Sequence, residues 1–323
     1  MRALATTILL VSAAAQSAAQ PFLALPLDCT LGQTCFVEDY VDIDPGPDDL
    51  DYACGLKARN GHRGTDFALA DLDAMARGVD VLAAADGVVE ATRDGMPDQI
   101  YSRENAATVD GRECGNAVRI GHPNGLKTLY CHLAQGSIAV ARGDRITTGD
   151  VLGQIGLSGQ TTFPHVHFSV LQEDGSVVDP FLPGVQPDTC GTTGDTLWVD
   201  PPPYTQTGFF TAGFATEQPT LATVRNGAAR AATATPRDSL AIYVYLFHAE
   251  PGDTVSFRVT GPGGASFGHE TRVPSDATRQ ALHYSRAAPG AGWPAGQYTG
   301  QATLTRAGAL IGSRQAYITV TSD

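Results

Sequence analysis

Two short histidine-bearing segments constrain this chain more than any other feature. They are His62-Arg63-Gly64-Thr65-Asp66 and, about a hundred residues on, His165-Val166-His167. Around the second segment the chain alternates, with Val166, Phe168 and Val170 interleaved with His165, His167 and Ser169. A strand of that pattern puts its apolar side chains on one face and both histidines on the other. The same reading groups Thr128, Tyr130 and His132 on one face, with Leu129, Cys131 and Leu133 opposite. Gly61 and Gly64 make the segment around His62 extended or turning. In an extended chain residues i and i+4 share a face, so His62 and Asp66 point the same way.

These residue types define a chemistry. Zinc takes imidazole nitrogen and carboxylate oxygen, and catalytic sites pair three protein ligands with an open position for water. His62, Asp66, His132, His165 and His167 supply three such ligands and two spare imidazoles. An imidazole with a pKa near ~6.5 accepts or returns protons at neutral pH. One histidine on a strand face is ordinarily structural; the set taken together is not. His122 lies in a turn, His122-Pro123-Asn124-Gly125, and reads as solvent-facing. His248, His269 and His283 have no partners at ligand spacing and read as structural or surface residues. Other hydrolase signatures fail. His269-Glu270 has no second histidine at the required place. Gly156-Leu157-Ser158-Gly159-Gln160 lacks the last glycine of a nucleophile elbow, so Ser158 reads as part of a tight loop.

From about Gly61 to Leu171 the chain resembles the lysostaphin-type zinc endopeptidases, metallopeptidase family twenty-three, which cut peptides of bacterial peptidoglycan. Besides the histidine segments, the resemblance rests on several stretches. They are Val81 to Val89, Asn116 to Gly125, Leu129-Tyr-Cys-His-Leu133, Gly149 to Gly153, Gly156 to Gly159 and Pro164 to Phe168. It implies an antiparallel sheet with a metal in a groove and one zinc per chain. It implies that His62, Asp66 and His167 are the metal ligands. His132 and His165 would be the catalytic histidines beside a zinc-bound hydroxide that attacks the amide. All five groups are present, which counts against a non-catalytic relative that only recruits other hydrolases. A secreted protease acting on non-wall proteins is a further alternative. Cys131, Phe163 and Ser169 depart from the family pattern. None is expected to touch a ligand, and Phe163 is expected to border the site.

Residues 1–19 read as a secretory signal peptide, with Arg2, an apolar run from about Leu4 to Ala15, and small residues at Ser17 and Ala19. That run is too short for a membrane span, and no other segment is long and apolar enough for one. The expected location is periplasmic or extracellular. Loss of Arg2 with the leader takes the net charge from −13 to −14, which argues against a nucleic-acid partner. Six cysteines in an exported chain read as disulfides and allow fifteen connectivities. Cys114 and Cys131 flank the hairpin turned at 122–125 and are expected to bridge it, with Cys131 facing away from His132. Cys29 and Cys35 would close a small loop, leaving Cys54 with Cys190.

Residues 20–60 are acidic and do not match an EF-hand. They read as a solvated, disulfide-anchored wrap that partly covers the groove and restrains activity. Residues 61–185 form the metallopeptidase domain. Its strands are expected at Val79–Ala84, Val88–Thr92, Ala117–Ile120, Leu126–Leu133, Val151–Ile155 and His165–Leu171. Residues 186–210, with Pro201-Pro202-Pro203, carry a linker signature. Residues 211–323 show strands at Ala241–Phe247 and Thr254–Thr260 and a hairpin from Gln297 to Val320. That pattern makes the whole chain mainly β, ending in an immunoglobulin-like β-sandwich. Trp293 and Tyr298 read as packing residues rather than a sugar-binding face.

Overall fold

The computed structural model describes residues 20–322. The leader expected over residues 1–19 lies outside the described residues. The first ten strands are β1 (Cys35–Asp39), β2 (Thr65–Leu69), β3 (Asp80–Leu82), β4 (Gly87–Arg93), β5 (Asn116–Gly121), β6 (Lys127–Leu133), β7 (Arg145–Ile146), β8 (Val151–Gln154), β9 (His165–Leu171) and β10 (Val177–Val178). The main antiparallel sheet runs β1-β2-β9-β6-β5-β4-β7, with β10 also pairing β9. β9 spans the residues expected of it and sits centrally. Its Val166, Phe168 and Val170 are fully buried beside Val118, Ile120 and Tyr130. The expected strands at Val79–Ala84 and Val151–Ile155 do not enter this sheet. They pair with each other, as β3 and β8, while isolated bridges tie Val81 to Leu27 and Ile155 to Leu133 of β6.

Residues 20–60 are not a solvated wrap. β1 is buried throughout and extends the sheet beside β2. Leu23, Leu27, Val37, Tyr40 and Tyr52 lie in the same core as β9. Only Arg59 and Asn60 of this segment line the groove. The segment therefore supports the site from behind rather than covering it. The Pro-rich stretch before the sandwich is packed as well. Trp198 is 1% exposed, with its ring 5.5–6.0 Å from those of Phe67, Phe168 and Phe181. The Tyr204 hydroxyl donates to Asp51 at 2.7 Å. Aromatic burial, invisible to a Pro/Gly count, keeps this connection from acting as a free spacer.

The remaining strands are β11 (Gly208–Ala215), β12 (Thr233–Ala234), β13 (Leu240–Phe247), β14 (Thr254–Thr260), β15 (Ser266–Arg272), β16 (Arg279–Arg286), β17 (Gly296–Arg306) and β18 (Ala309–Val320). They form two sheets, β11-β13-β16 and β12-β18-β17-β14-β15, packed as a β-sandwich. Trp293 and Tyr298 are buried in its core, as packing residues. β13 is buried on both faces. Leu240, Ile242, Val244 and Leu246 fill the sandwich. Ala241, Tyr243, Tyr245 and Phe247 pack with Phe36, Ala68 and Phe163 of the first sheet's domain. The three disulfides are Cys29–Cys35, Cys54–Cys190 and Cys114–Cys131, the expected set.

Candidate metal centre

Strand register builds the site. Asp66 lies opposite His167 across β2 and β9, and Cys131 lies opposite His167 across β6 and β9. Directly opposed residues share a face. Asp66, His165, His167, Ser169, Leu129 and Cys131 therefore face one way. Tyr130 opposes Phe168 and points into the core, where its hydroxyl accepts from the Ala84 amide at 2.8 Å. This overturns the grouping of His132 with Thr128 and Tyr130. His132 has φ +63°, which breaks the alternation and turns its ring into the groove. Cys131 accordingly does not face away from the site, and its disulfide with Cys114 lines the groove.

His62 Nε2 lies 3.1 Å from Asp66 Oδ1 and 3.0 Å from His167 Nδ1, and the last two are 2.8 Å apart. The opposite edge of each ring is committed. His62 Nδ1 is 2.7 Å from the Tyr40 carbonyl, which can only accept. His167 Nε2 is 3.1 Å from Ser169 Oγ, whose proton goes to the Arg63 carbonyl. Both imidazoles are thus held in the tautomer that turns a lone pair on the carboxylate. Three lone-pair-bearing atoms converging within about 3 Å repel one another unless a positive charge joins them. The donor set is two nitrogens and one oxygen, which suits zinc. His62, Asp66 and His167 thus form a group that fits a metal ion.

The electrostatics show how strongly this cluster attracts positive charge. Burial pushes the Asp66 carboxyl up, yet the facing His62, His165 and His167 rings outweigh it and hold it well below the usual range. Burial lowers His62, but the Asp66 charge beside it wins and raises it. Burial lowers His167 against the pull of Asp66. Burial carries His165 down to about 4, and burial with repulsion from His165 and His167 carries His132 well below its ordinary value. The last two are therefore neutral acceptors at pH 7.

His132 and His165 are oriented alike. His132 Nδ1 donates to the Ser158 carbonyl at 2.8 Å, and His165 Nδ1 to the Phe163 carbonyl at 2.8 Å. Their ring centroids are 4.7 Å apart, and His165 Nε2 lies 3.5 Å from Asp66 Oδ2. The Ser158 loop is pinned, since its hydroxyl accepts from the Asn116 amide and donates to the Leu133 carbonyl. Ser158 is the tight-loop residue expected, and its carbonyl does the orienting.

The structure joins all five predicted residues and corrects their surroundings. Ser169 does touch a candidate ligand, and alternation from His167 already placed it on that face. Phe163 does not line the groove with its side chain. Its ring is fully buried against Phe210 and Tyr245, and only its carbonyl serves the site. Tyr40 and Arg59 were not foreseen; Tyr40 acts through its backbone, which leaves no trace in residue type. His122 is buried rather than solvent-facing, held between the Asp86 carbonyl and Thr128 Oγ1. His248 is structural, paired with Asp39.

Gly64 is an expected weak point. A Cβ there would lie 2.7 Å from the His167 ring and from the Phe168 carbonyl. Gly64→Ala should displace His167, costing about 1–3 kcal/mol. Denaturant melts with metal titration should show lower stability and weaker zinc binding together.

A mainly antiparallel β-domain with a groove and a two-histidine, one-carboxylate cluster defines the class as a candidate metallohydrolase. Residues 60–180 match the model of Peptidase family M23, and this segment is a domain of that family. Over 121 residues the chain is 34% identical to the DD-carboxypeptidase/endopeptidase Mpg of Neisseria meningitidis serogroup B, covering 37% of this chain and 22% of that protein. Over 110 residues it is 34% identical to the peptidoglycan DD-endopeptidase ShyA of Vibrio cholerae, covering 34% of this chain and 20% of that protein. The chain thus spans about a fifth of the length of these relatives. The catalytic domain of the prophage-encoded M23 protein EnpA from Enterococcus faecalis overlays 54% of this chain and 98% of its own at 22% identity. The TM-score of that overlay is 0.31.

Proposed function

We propose that this protein is an exported zinc-dependent endopeptidase that hydrolyses amide bonds in peptidoglycan peptides. The observation that carries this reading is the convergence of His62 Nε2, Asp66 Oδ1 and His167 Nδ1 beside two further imidazoles in an open groove. His62, Asp66 and His167 would hold one zinc. When bound, zinc polarises a carbonyl and lowers the pKa of water to about 7. The protein's own groups do the rest. His132 and His165 have their Nδ1 protons tied to carbonyls, so Nε2 is the edge left for chemistry. Either Nε2 takes the proton of the attacking water. Once protonated, that same atom becomes the donor the tetrahedral oxyanion needs, and then returns the proton to the leaving amine.

ShyA is named a peptidoglycan DD-endopeptidase and Mpg a DD-carboxypeptidase/endopeptidase, which supports wall peptides as the substrate. Three disulfides support export. Among the described residues, no helix is long and apolar enough to cross a membrane. Incubation of the mature chain with purified sacculi, beside an unfolded soluble protein, tests the substrate class. New amino termini from sacculi alone are expected. Equal or faster cleavage of the soluble protein would shift the reading to a general secreted protease.

A further inference from the structure

Asp66 uses Oδ1 toward the two histidines, and its Oδ2 is gripped by an Arg59 guanidinium nitrogen. Arg59 Nε lies 2.7 Å from Asp39 Oδ2, an ion-pair contact whose angle is poor for a hydrogen bond. Asp39 Oδ1 in turn accepts from His248 Nε2 at 2.8 Å. Asp39 and Asp66 are 1% and 2% exposed. His248 follows β13 and belongs to the sandwich. An unbroken chain of contacts therefore runs from the C-terminal domain to a candidate metal ligand.

We propose that Arg59 is a positioning residue for Asp66, and that the sandwich's His248 holds it in place through Asp39. This rests on the metal-centre reading above. A carboxylate on a strand can swing about its terminal bond and offer either oxygen. A guanidinium is planar and always charged, so one Arg can hold two carboxylates in fixed relation. With Oδ2 engaged by Arg59, Oδ1 is the oxygen left facing His62 and His167. More than half of the Arg59 side chain is exposed, at 53%. Its grip therefore depends on the anchored Asp39 rather than on packing. Asp39 is buried, and His248 supplies the side-chain hydrogen bond that fixes it. The C-terminal sandwich thereby becomes part of the metal centre rather than an appended module.

The test is zinc affinity of the full mature chain by chelator competition, with melting temperature recorded on each variant. The variants are Arg59→Ala, His248→Ala, His248→Gln and Arg230→Ala. Arg230 pairs with buried Asp71 at 2.7 Å across the same domain interface but does not touch this chain of contacts. Arg59→Ala should weaken zinc binding about 10- to 100-fold, the usual range for groups behind a ligand. His248→Ala should weaken it in the same direction, and His248→Gln, which keeps a donor for Asp39, should recover part of the loss. Arg230→Ala should lower the melting temperature and leave zinc affinity unchanged. Zinc affinity of Arg59→Ala within twofold of the parent would overturn the proposal. So would an equal loss in Arg230→Ala, since the effect would then be general destabilisation. Failure of the unmutated chain to bind zinc would instead overturn the metal-centre reading, and this inference with it.

Discussion

His132→Ala should keep one zinc per chain yet lose about 10²–10⁴ in kcat, the range for a positioned proton-transfer group. His167→Ala should lose zinc and activity together. The two histidines are 6.1 Å apart by ring centroid and share one groove, so proximity does not distinguish them. Their hydrogen bonds do. His167 Nδ1 sits 2.8 Å from Asp66 Oδ1, inside the candidate ligand cluster. His132 is anchored to the Ser158 carbonyl, and it lies outside the group of three that fits a metal. Metal content and single-turnover rates on the same preparations separate the two outcomes. Zinc lost from His132→Ala would mean that this residue, too, is a ligand.

A chain truncated after residue 207 should fail to fold as a cooperative unit, or melt far below the full chain. The sandwich covers Phe36 and Phe163, which are 4% and 0% exposed. Uncovering each costs about 1.5–3 kcal/mol. It also supplies Arg279 to buried Glu38 and His248 to buried Asp39. Breaking a buried ion pair such as Arg279–Glu38 by removing one partner costs about 3–5 kcal/mol. Net domain stability is about 5–15 kcal/mol, so these losses are of the same size as the whole. Calorimetry of the 20–207 fragment checks this. An unchanged melting temperature would mean that the interface contributes nothing to the fold.

The expectation of a linker before the sandwich illustrates what the sequence hides. Pro201-Pro202-Pro203 reads as a spacer by composition, while Trp198 and Tyr204 on either side are the anchors. The contrary signal lay in β13, whose Leu240 to Phe247 run has no polar alternation. A strand of that kind is buried on both faces, and its second face needs a partner outside the sandwich. β1 is hidden for a related reason, since Glu38 and Asp39 make a buried strand look solvated, while Gly61 and Gly64 leave the segment leading into β2 reading only as extended or turning. The charges of Glu38 and Asp39 are matched by Arg279, His248 and Arg59, partners distant in sequence or, for Arg59, in a loop.

The centre itself was far more legible. Alternation along His165–Leu171 placed two histidines and Ser169 on one face, and the strand forms as read. Family resemblance supplied the division into ligands and proton carriers. Alternation failed only at His132, where one left-handed residue turns a side chain that period-two counting sends to the core. No residue-type rule predicts a non-glycine φ of +63°. The orienting carbonyls of Tyr40, Ser158 and Phe163 are equally silent in sequence.

The most direct test of the account is release of peptide amines from purified sacculi by the mature chain, with zinc content measured on the same sample. The account predicts about one zinc per chain, with release abolished by a chelator and restored by added zinc. Stoichiometric zinc with sacculi left intact would contradict it and leave the scaffold as a regulator of other hydrolases.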